Sequence, residues 1–308
     1  MDVLRLTLRQ LQIFVAVARS GSTIAASAEI LLSQSATSSA VNELERLLSL
    51  RLFDRSGKRL MLNDNGRALL PQALALLDGA ASIERMSRDG GAQVQSLRIG
   101  ASTTIGNYVL PKLLKQFLSD RPQDTALGWK SKVTIANTET ICDAVAAFEL
   151  DVGLIEGPSH QPALSATPWL QDELVVVAGA SRPGALHIQS GDEAGKLPLK
   201  ALRDMVWLLR EPGSGTREAT DQLLLPYIRA YRRSVELGSS EAIKSAVAEG
   251  LGVACLSHWV VHDWLAIGRV RRLATTIPKM SRQCYWVVHR DKQITPAMRN
   301  FIAQVFAT

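Results

Sequence analysis

Two stretches of this chain carry groups whose types and spacing could do chemistry, and in both the chemistry is binding. The first is Ser33-Gln34-Ser35-Ala36-Thr37-Ser38-Ser39, a row of short hydroxyls and one amide opened by a serine able to cap a helix. Small polar side chains at a helix amino terminus suit phosphate oxygens and the edges of bases. Gln34 is the most specific of them, because a glutamine amide can pair with adenine through two hydrogen bonds. Arg55, Lys58 and Arg59 follow around a tip containing Gly57, and there they would face phosphates. The second stretch is Arg210-Glu211-Pro212-Gly213-Ser214-Gly215-Thr216-Arg217. Gly213 and Gly215 allow backbone amides to converge, Ser214 and Thr216 add hydroxyls, and Arg217 adds charge. Such a nest at a helix start favours an anion. Ser102-Thr103-Thr104 and Asn137-Thr138 also follow strand-like runs and open helices.

Other arrangements that could do chemistry are incomplete. His258 and His262 have the four-residue spacing of metal ligands on a helix, but no third ligand is evident beyond Asp263. Gly213-Ser214-Gly215 lacks the Gly-x-Ser-x-Gly spacing of a nucleophile elbow. There is no Walker lysine and no dinucleotide fingerprint. Cys142, Cys255 and Cys284 are odd in number and far apart, so they define neither a disulfide framework nor a metal knuckle. No catalytic residue, metal or cofactor is expected, and buried structural thiols are the reading for the cysteines.

The elements that must position these groups read as two kinds of domain, in keeping with a length of 308 residues. Thr7 and Gln10 fit a capping box before the apolar stripe Leu8, Leu11, Ile13, Phe14, Val15, Val17 and Ala18, and Gly21 ends that helix. Ser22 caps a second helix to about Leu31, with Ala25, Ala26 and Ala28 allowing close packing. Ser33 caps a third to about Leu48, with Val41, Leu44, Leu47 and Leu48 inward. Two short helices joined by a tight turn make a helix-turn-helix. Leu52 to Leu62 reads as a short hairpin or wing. Asn63 caps a long helix to about Arg88, in which Leu69, Ala73, Leu76, Ala80 and Ile83 follow the 4-3-4-3 spacing of a paired seam. No partner helix follows before the polar linker Asp89–Ser96, which favours pairing between subunits.

Beyond the linker, strand-like and helical runs alternate: Leu97–Ala101, a helix from about Ile105 to Leu118, Val133–Ala136, Asp151–Ile155, Leu174–Ala178, Val206–Leu209, Val235–Leu237, Gly252–Leu256 and Tyr285–Val288, with a last helix after Thr295. Repetition at this spacing predicts parallel sheets with covered faces. Hydrophobic content of 46% and charged content of 21% fit a globular chain, and a net charge of +6 permits an anionic partner such as nucleic acid. No run of 18 apolar residues occurs, so no membrane span is expected. The first residues lack the layout of a signal peptide, which predicts a cytoplasmic protein.

The order Leu11-Phe14, Gly21-Ser22, Ala26, Ser33-Gln34-Ser35-Ala36, Ser38, Leu44-Glu45, Leu52-Phe53-Asp54-Arg55 and Gly66 resembles the LysR-type transcriptional regulators. The match covers the amino-terminal domain and, more loosely, the rest. It departs from the family pattern at Thr23, where an aromatic is usual, at Ser49 in place of glycine, and at Asn63 in place of threonine. Asn63 still caps well, and position 23 is expected in the core.

The resemblance implies an amino-terminal all-α winged helix-turn-helix (residues 1–63) and a dimerisation helix with its hinge (64–95). It also implies a carboxy-terminal α/β effector-binding domain like periplasmic binding proteins (96–308). Gln34, Ser35, Thr37 and Ser38 would lie nearest the bases, while Ser33, Arg55 and Arg59 would hold phosphates. The effector-binding domain would comprise subdomain I (about 96–178 and 282–308) and subdomain II (about 179–281). Crossings are expected near Val177–Gly179 and Met280–Gln283. Ligand would lie in the cleft, at strand carboxyl ends and helix amino ends, held by Ser102, Thr103, Thr104, Asn137, Thr138, Gly213, Ser214, Gly215, Thr216 and Arg217. A small oxyanion or carboxylate effector is expected, which Glu156 near the same rim would oppose unless paired or turned away. Implied partners are a pseudo-palindromic double-stranded DNA site, further copies of the chain as dimer and tetramer, and RNA polymerase. The alternative reading is a cytoplasmic solute-binding or carrier protein with no specific DNA target, disfavoured by the appended helix-turn-helix.

Overall fold

The computed structural model describes residues 5–56, 59–88, 97–119, 131–180 and 196–306. They fall into two units, Met1–Val94 and Gln95–Thr308.

The first unit opens with α1 (Leu8–Ser20), whose start is the capping box of Thr7 and Gln10 and whose end is Gly21 in the left-handed region, φ 64°. α2 (Thr23–Glu29) is capped by Ser22, and α3 (Gln34–Leu48) by Ser33. β1 (Phe53–Ser56) and β2 (Arg59–Leu62) pair antiparallel as the wing. α4 (Asp64–Arg88) runs unbroken through Pro71, and Asn63 Oδ1 accepts from the Gly66 amide at 2.9 Å, capping it. Leu11, Phe14, Val17, Ala26, Leu44, Leu52 and Ala73 are buried together as the core. Each large apolar side chain so buried contributes about 1.5–3 kcal/mol.

Packing differs from the pattern in two places. Of the three alanines of α2 only Ala26 is buried; Ala25 and Ala28 are exposed, and Thr23 is only half-buried. On α4, Ala73 is buried with Leu69 packed beside it in this unit's own core, whereas Leu76 and Ile83 are 55% and 69% exposed. The seam therefore divides, its first part serving the helix-turn-helix and its later part facing outward.

The described residues of the second unit are built on a nine-stranded sheet of order β4-β3-β5-β11-β6-β9-β7-β8, with β10 against β6. β3 (Leu97–Ser102) lies parallel to β4 (Ser131–Ala136) and to β5 (Val152–Glu156). Between β3 and β4 comes α5 (Leu110–Ser119), entered through a wider π-type turn at Ile105–Val109; α6 (Thr138–Ala146) precedes β5. β6 (Leu164–Gly179) then runs for 16 residues. After it come α7 (Leu199–Asp204), β7 (Val206–Leu209), α8 (Gly215–Ile228), β8 (Arg233–Glu236), α9 (Ser240–Ala248), β9 (Val253–Ser257), α10 (His258–Ala266) and β10 (Val270–Arg272). β11 (Met280–His289) returns, and α11 (Pro296–Phe306) closes on the first half through Met298, Phe301 and Val305.

The α/β alternation gives parallel pairs within each half, but β6 and β11 cross from one half to the other antiparallel to each other and to their other neighbours. The first crossing comes earlier than Val177–Gly179. β6 pairs with β11 from Leu164 onward and takes β9 as a second partner from Leu174. The continuous burial of Leu174–Ala178, against alternating exposure before it, marks that change of surroundings. The return crossing falls within Met280–Gln283, followed by a register shift before Tyr285.

Candidate functional site

In the first unit the amino-terminal face of α3 is held outward by its cap. Ser33 Oγ accepts from the Ala36 amide at 3.2 Å. Gln34, Ser35, Ser39 and Asn42 are exposed and Ser38 is half-buried. Thr37, expected at the bases, is fully buried, and its hydroxyl donates to the Ser33 carbonyl at 3.0 Å. It shares the face of Val41 and Leu44, four and seven residues on, so the helical period carries it into the core. Asn42, seven residues after Ser35, lies on the outward face and was missed. Arg46, further along, is held by Glu43 through two hydrogen bonds of 2.8 and 2.7 Å.

The wing is fixed by three contacts. Glu45 accepts from the Leu52 amide at 2.7 Å, the Leu60 amide donates to the Gly21 carbonyl at 2.8 Å, and the Phe14 and Phe53 rings lie 5.6 Å apart. Gly66 lets α4 approach, since a Cβ there would come within 2.2 Å of the Leu52 carbonyl oxygen. Arg55 and Arg59 are exposed on the two wing strands; Lys58 lies outside the described residues.

In the second unit the ends of β3, β4, β5 and β7 and the starts of α6, α8 and α9 converge between the two halves. Ser102, Thr104, Thr138, Ser214 and Thr216 are buried there. Asn137 caps α6 by accepting from the Thr140 amide at 2.9 Å, and the Thr138 hydroxyl accepts from the Gly215 amide at 3.2 Å. These groups from both halves are thus in contact.

Of the alternatives open for Glu156, the structure shows the paired one. Glu156 does not oppose an anion on an open rim, because it is buried and paired. One carboxylate oxygen accepts from the Thr104 and Ile105 amides at 2.9 and 3.2 Å. The other accepts from Thr216 Oγ1 and Arg282 Nη1, both at 3.2 Å. The helix start after Ser102 therefore already holds a carboxylate of the chain. Arg282 also meets Asp172 at 2.7 Å, and Asp172 accepts from Ser257 Oγ at 2.7 Å. Burial raises both carboxyl pKa values. For Glu156 the Arg282 charge and the helix-start donors outweigh it and hold the group below its ordinary range; for Asp172 burial prevails and the pKa is raised.

The Gly213–Arg217 segment is likewise engaged with its own chain. Gly213 has φ 81°, and its carbonyl accepts from the Glu139 amide at 3.0 Å. A Cβ on Gly215 would lie 2.1 Å from the Glu156 carbonyl oxygen. These glycines permit close approach of the two halves, and the Gly215 amide is spent on Thr138. Arg217 lines the cavity at this turn but is engaged within the chain, donating to Asp221 at 2.8 Å and to the Arg210 carbonyl at 3.0 Å. A four-residue helical pair is the more local partner for it.

A further cation at the junction of the two halves is Arg210, which heads the segment quoted from the sequence but was not among its expected ligands. It is 3% exposed. Its guanidinium binds Glu211 in a two-pronged pair, 2.8 Å at each contact. It also donates to Ser240 Oγ at 3.0 Å and reaches Thr103 Oγ1 of the other half at 3.5 Å. Asn137 Nδ2 reaches Glu211 at 3.4 Å. Burial raises the Glu211 pKa, but the Arg210 hydrogen bonds prevail and hold it low. A cavity of about 510 Å³ lies at the Pro212–Ser214 turn, where Thr138, Gly213, Ser214 and Arg217 of the expected site line it together with Asp143, Glu218 and Asp221. There Arg217 is already paired with Asp221 and His160 with Glu218, whereas Arg210 presents a two-pronged guanidinium on the other side of the turn, which makes that side the candidate anion site. The three cysteines are buried, and burial pushes the thiols of Cys255 and Cys284 up to about 12.

Comparison with known proteins bears on both units. Residues 8–67 match the bacterial regulatory helix-turn-helix proteins of the lysR family, and residues 90–308 match the LysR substrate binding domain. The chain is 43% identical over 300 residues to the HTH-type transcriptional regulator YeiE of Escherichia coli (strain K12), covering 97% of each. Among solved structures, a full-length OxyR variant from Pseudomonas aeruginosa superposes with a TM-score of 0.66 at 24% identity, over 98% of this chain and 95% of that one. The regulatory domain of CcmR from Synechocystis PCC6803, solved in complex with 2-PG, is 30% identical over 69% of this chain and 96% of its own, with a TM-score of 0.58.

Proposed function

The chain belongs to the LysR family of bacterial transcriptional regulators, and on that premise we propose that it reads DNA through α3 and answers to a small anionic effector held at Arg210. It is a DNA-binding regulator with an effector-binding domain; the residues of contact and the effector class are the proposal. Gln34, Ser35 and Ser38, joined by Asn42, meet the bases. Ser33, Arg55, Lys58 and Arg59 meet phosphates, which position without specifying. Thr37 supports α3 from within. The exposed Leu76 and Ile83 of α4 bury against the same helix of a second copy, giving a two-fold reader for a pseudo-palindromic site. Pairing of two such dimers and contact with RNA polymerase complete the reading.

The observation that carries the effector class is Arg210, a buried guanidinium at a strand carboxyl end, whose two prongs hold the Glu211 carboxylate while Ser240 and Thr103 fix it from the sides. A guanidinium fork matches a carboxylate, phosphate or sulfur oxyanion. Thr103 stands at the guanidinium and Asn137 at its Glu211 partner, and Ser102, Thr104, Thr138 and Thr216 are the further polar groups of the same junction. 2-PG, bound by the CcmR domain, belongs in the first panel of compounds.

Two measurements test this. Fluorescence anisotropy on genomic fragments should find a specific site whose affinity falls steeply with salt, and Gln34→Ala should weaken it and relax its sequence preference. A thermal-shift panel of sulfate, sulfite, phosphate esters, dicarboxylates, neutral sugars and amines should show stabilisation by anions in the wild type and not in Arg210→Gln. Stabilisation by sugars or amines alone would sink the anionic effector.

A further inference from the structure

Arg210 and Glu211 are adjacent in sequence, yet they differ sharply in exposure: their side chains are 2% and 24% exposed. The guanidinium is fixed from three sides, by Ser240, by Thr103 and by Glu211 itself. It cannot shed its proton, so a buried arginine must always have an anionic or strongly accepting partner. Among the described residues, Glu211 supplies the carboxylate on it. Both oxygens are used, Oε2 on Nε and Oε1 on Nη2, each at 2.8 Å, with Asn137 Nδ2 at 3.4 Å from Oε1. Arg210 and Asn137 together form a donor frame, drawn from both halves, around one planar oxyanion.

We propose that the Glu211 carboxylate is a built-in competitor of the effector, occupying the donor frame that the effector's oxyanion takes over. This rests on the reading of Arg210 as the anion site and adds to it a residue that sets the threshold of response. Glu211 reaches Arg210 from the neighbouring backbone position, so rotation of its own side chain suffices to leave, and its outward exposure gives the expelled carboxylate a path to water. An incoming anion keeps Arg210 and Asn137 satisfied, so no buried charge is stranded during the exchange. The exchange also has a specificity consequence. A ligand must present at least two oxygens in the spacing of a carboxylate to replace both contacts. A halide or a neutral amide cannot do so, because a single acceptor leaves one prong unpaired.

The test uses the full chain and isothermal titration with sulfate and malonate as probes, on wild type, Glu211→Gln and Glu211→Ala, with Arg210→Gln as control. Removing the competitor's charge should tighten probe binding at least tenfold in Glu211→Gln and at least as much in Glu211→Ala, while chloride gains nothing. Affinities in both variants equal to or weaker than wild type, or no binding by either variant, would overturn the competitor role. Melting temperatures without probe establish that each variant is folded, and a conservative glutamine at a partly exposed position leaves the Arg210 fork one acceptor. Failure of the underlying reading looks different: wild type and Arg210→Gln would then bind the whole anion panel alike.

Discussion

At the scale of single residues, phase along a helix decides which polar groups work on DNA and which work on the fold. Thr37 and Asn42 are both small polar residues of α3, five positions apart, and point to opposite sides of it. Thr37→Val should therefore cost at most about 1 kcal/mol of stability through its lost hydroxyl bond and leave sequence preference intact. Asn42→Ala should leave the melting temperature alone and lose about 1–3 kcal/mol of discrimination at one base position; selection of binding sites from a randomised DNA pool measures both. The burial of Thr37 was open to inference from the chain, since Val41 and Leu44 set the inward face. Arg210 was not: the residues that give it meaning, Thr103 and Ser240, stand 107 and 30 positions away. Arg217 looked the better candidate because its helix start is visible in the chain, but so was Asp221 four residues later, which claims it.

At the scale of elements, capping signals and glycines were the most readable features, because they act over a few residues. Thr7, Ser22, Ser33 and Asn63 all cap the helices expected of them. What a periodic pattern could not say is how far an apolar seam is used by its own domain. On α4 the seam divides between Ala73, buried in the core, and Leu76, which faces outward while its neighbours Leu74 and Leu77 still pack against that core. Leu76→Glu with Ile83→Glu should convert a dimer into a monomer in sedimentation experiments while the helical signal of the first unit persists. A dimer that survived both charges would remove α4's outer stripe from the proposed assembly. Loss of pairing should also reduce affinity for a two-half site far more than for a half-site, because the second contact then ceases to be intramolecular.

At the scale of the whole effector-binding unit, Arg282 is the residue on which both halves depend. Glu156 ends a strand of the first half, Thr216 and Ser257 belong to the second, and Asp172 and Arg282 face each other on the two crossing strands. Removing the guanidinium as Arg282→Met would leave two carboxylates buried without a counter-charge, at a cost of about 3–5 kcal/mol. The sign of its pH dependence is fixed by the same geometry. Glu156 in the wild type is held low, so its contribution is complete above its ordinary pKa of 4.5 and is lost as pH falls through the lower folded value. In Arg282→Met both carboxyls would be pushed up, so protonation relieves the mutant first and its deficit should shrink between about pH 8 and pH 5. Urea titrations at the two pH values read this directly; a deficit that grew in acid would contradict the pairing. That Glu156 would need a partner was legible in the chain, but not which one, because the members of the network come from five separate elements and only the fold brings them together.

The crossing strands carry one more consequence. β6 and β11 are hydrogen-bonded to each other and, between them, to the sheet of either half, with one register break between Gln283 and Tyr285. The halves are thus not two bodies on a flexible tether but two ends of one woven ribbon, whose β6–β11 pairing has one irregular stitch. In deuterium exchange, the amides of Leu174–Ala178 and of Val287–Val288 should be among the slowest in the chain, with a faster patch confined to Gln283–Tyr285 whose rate changes when an anion binds.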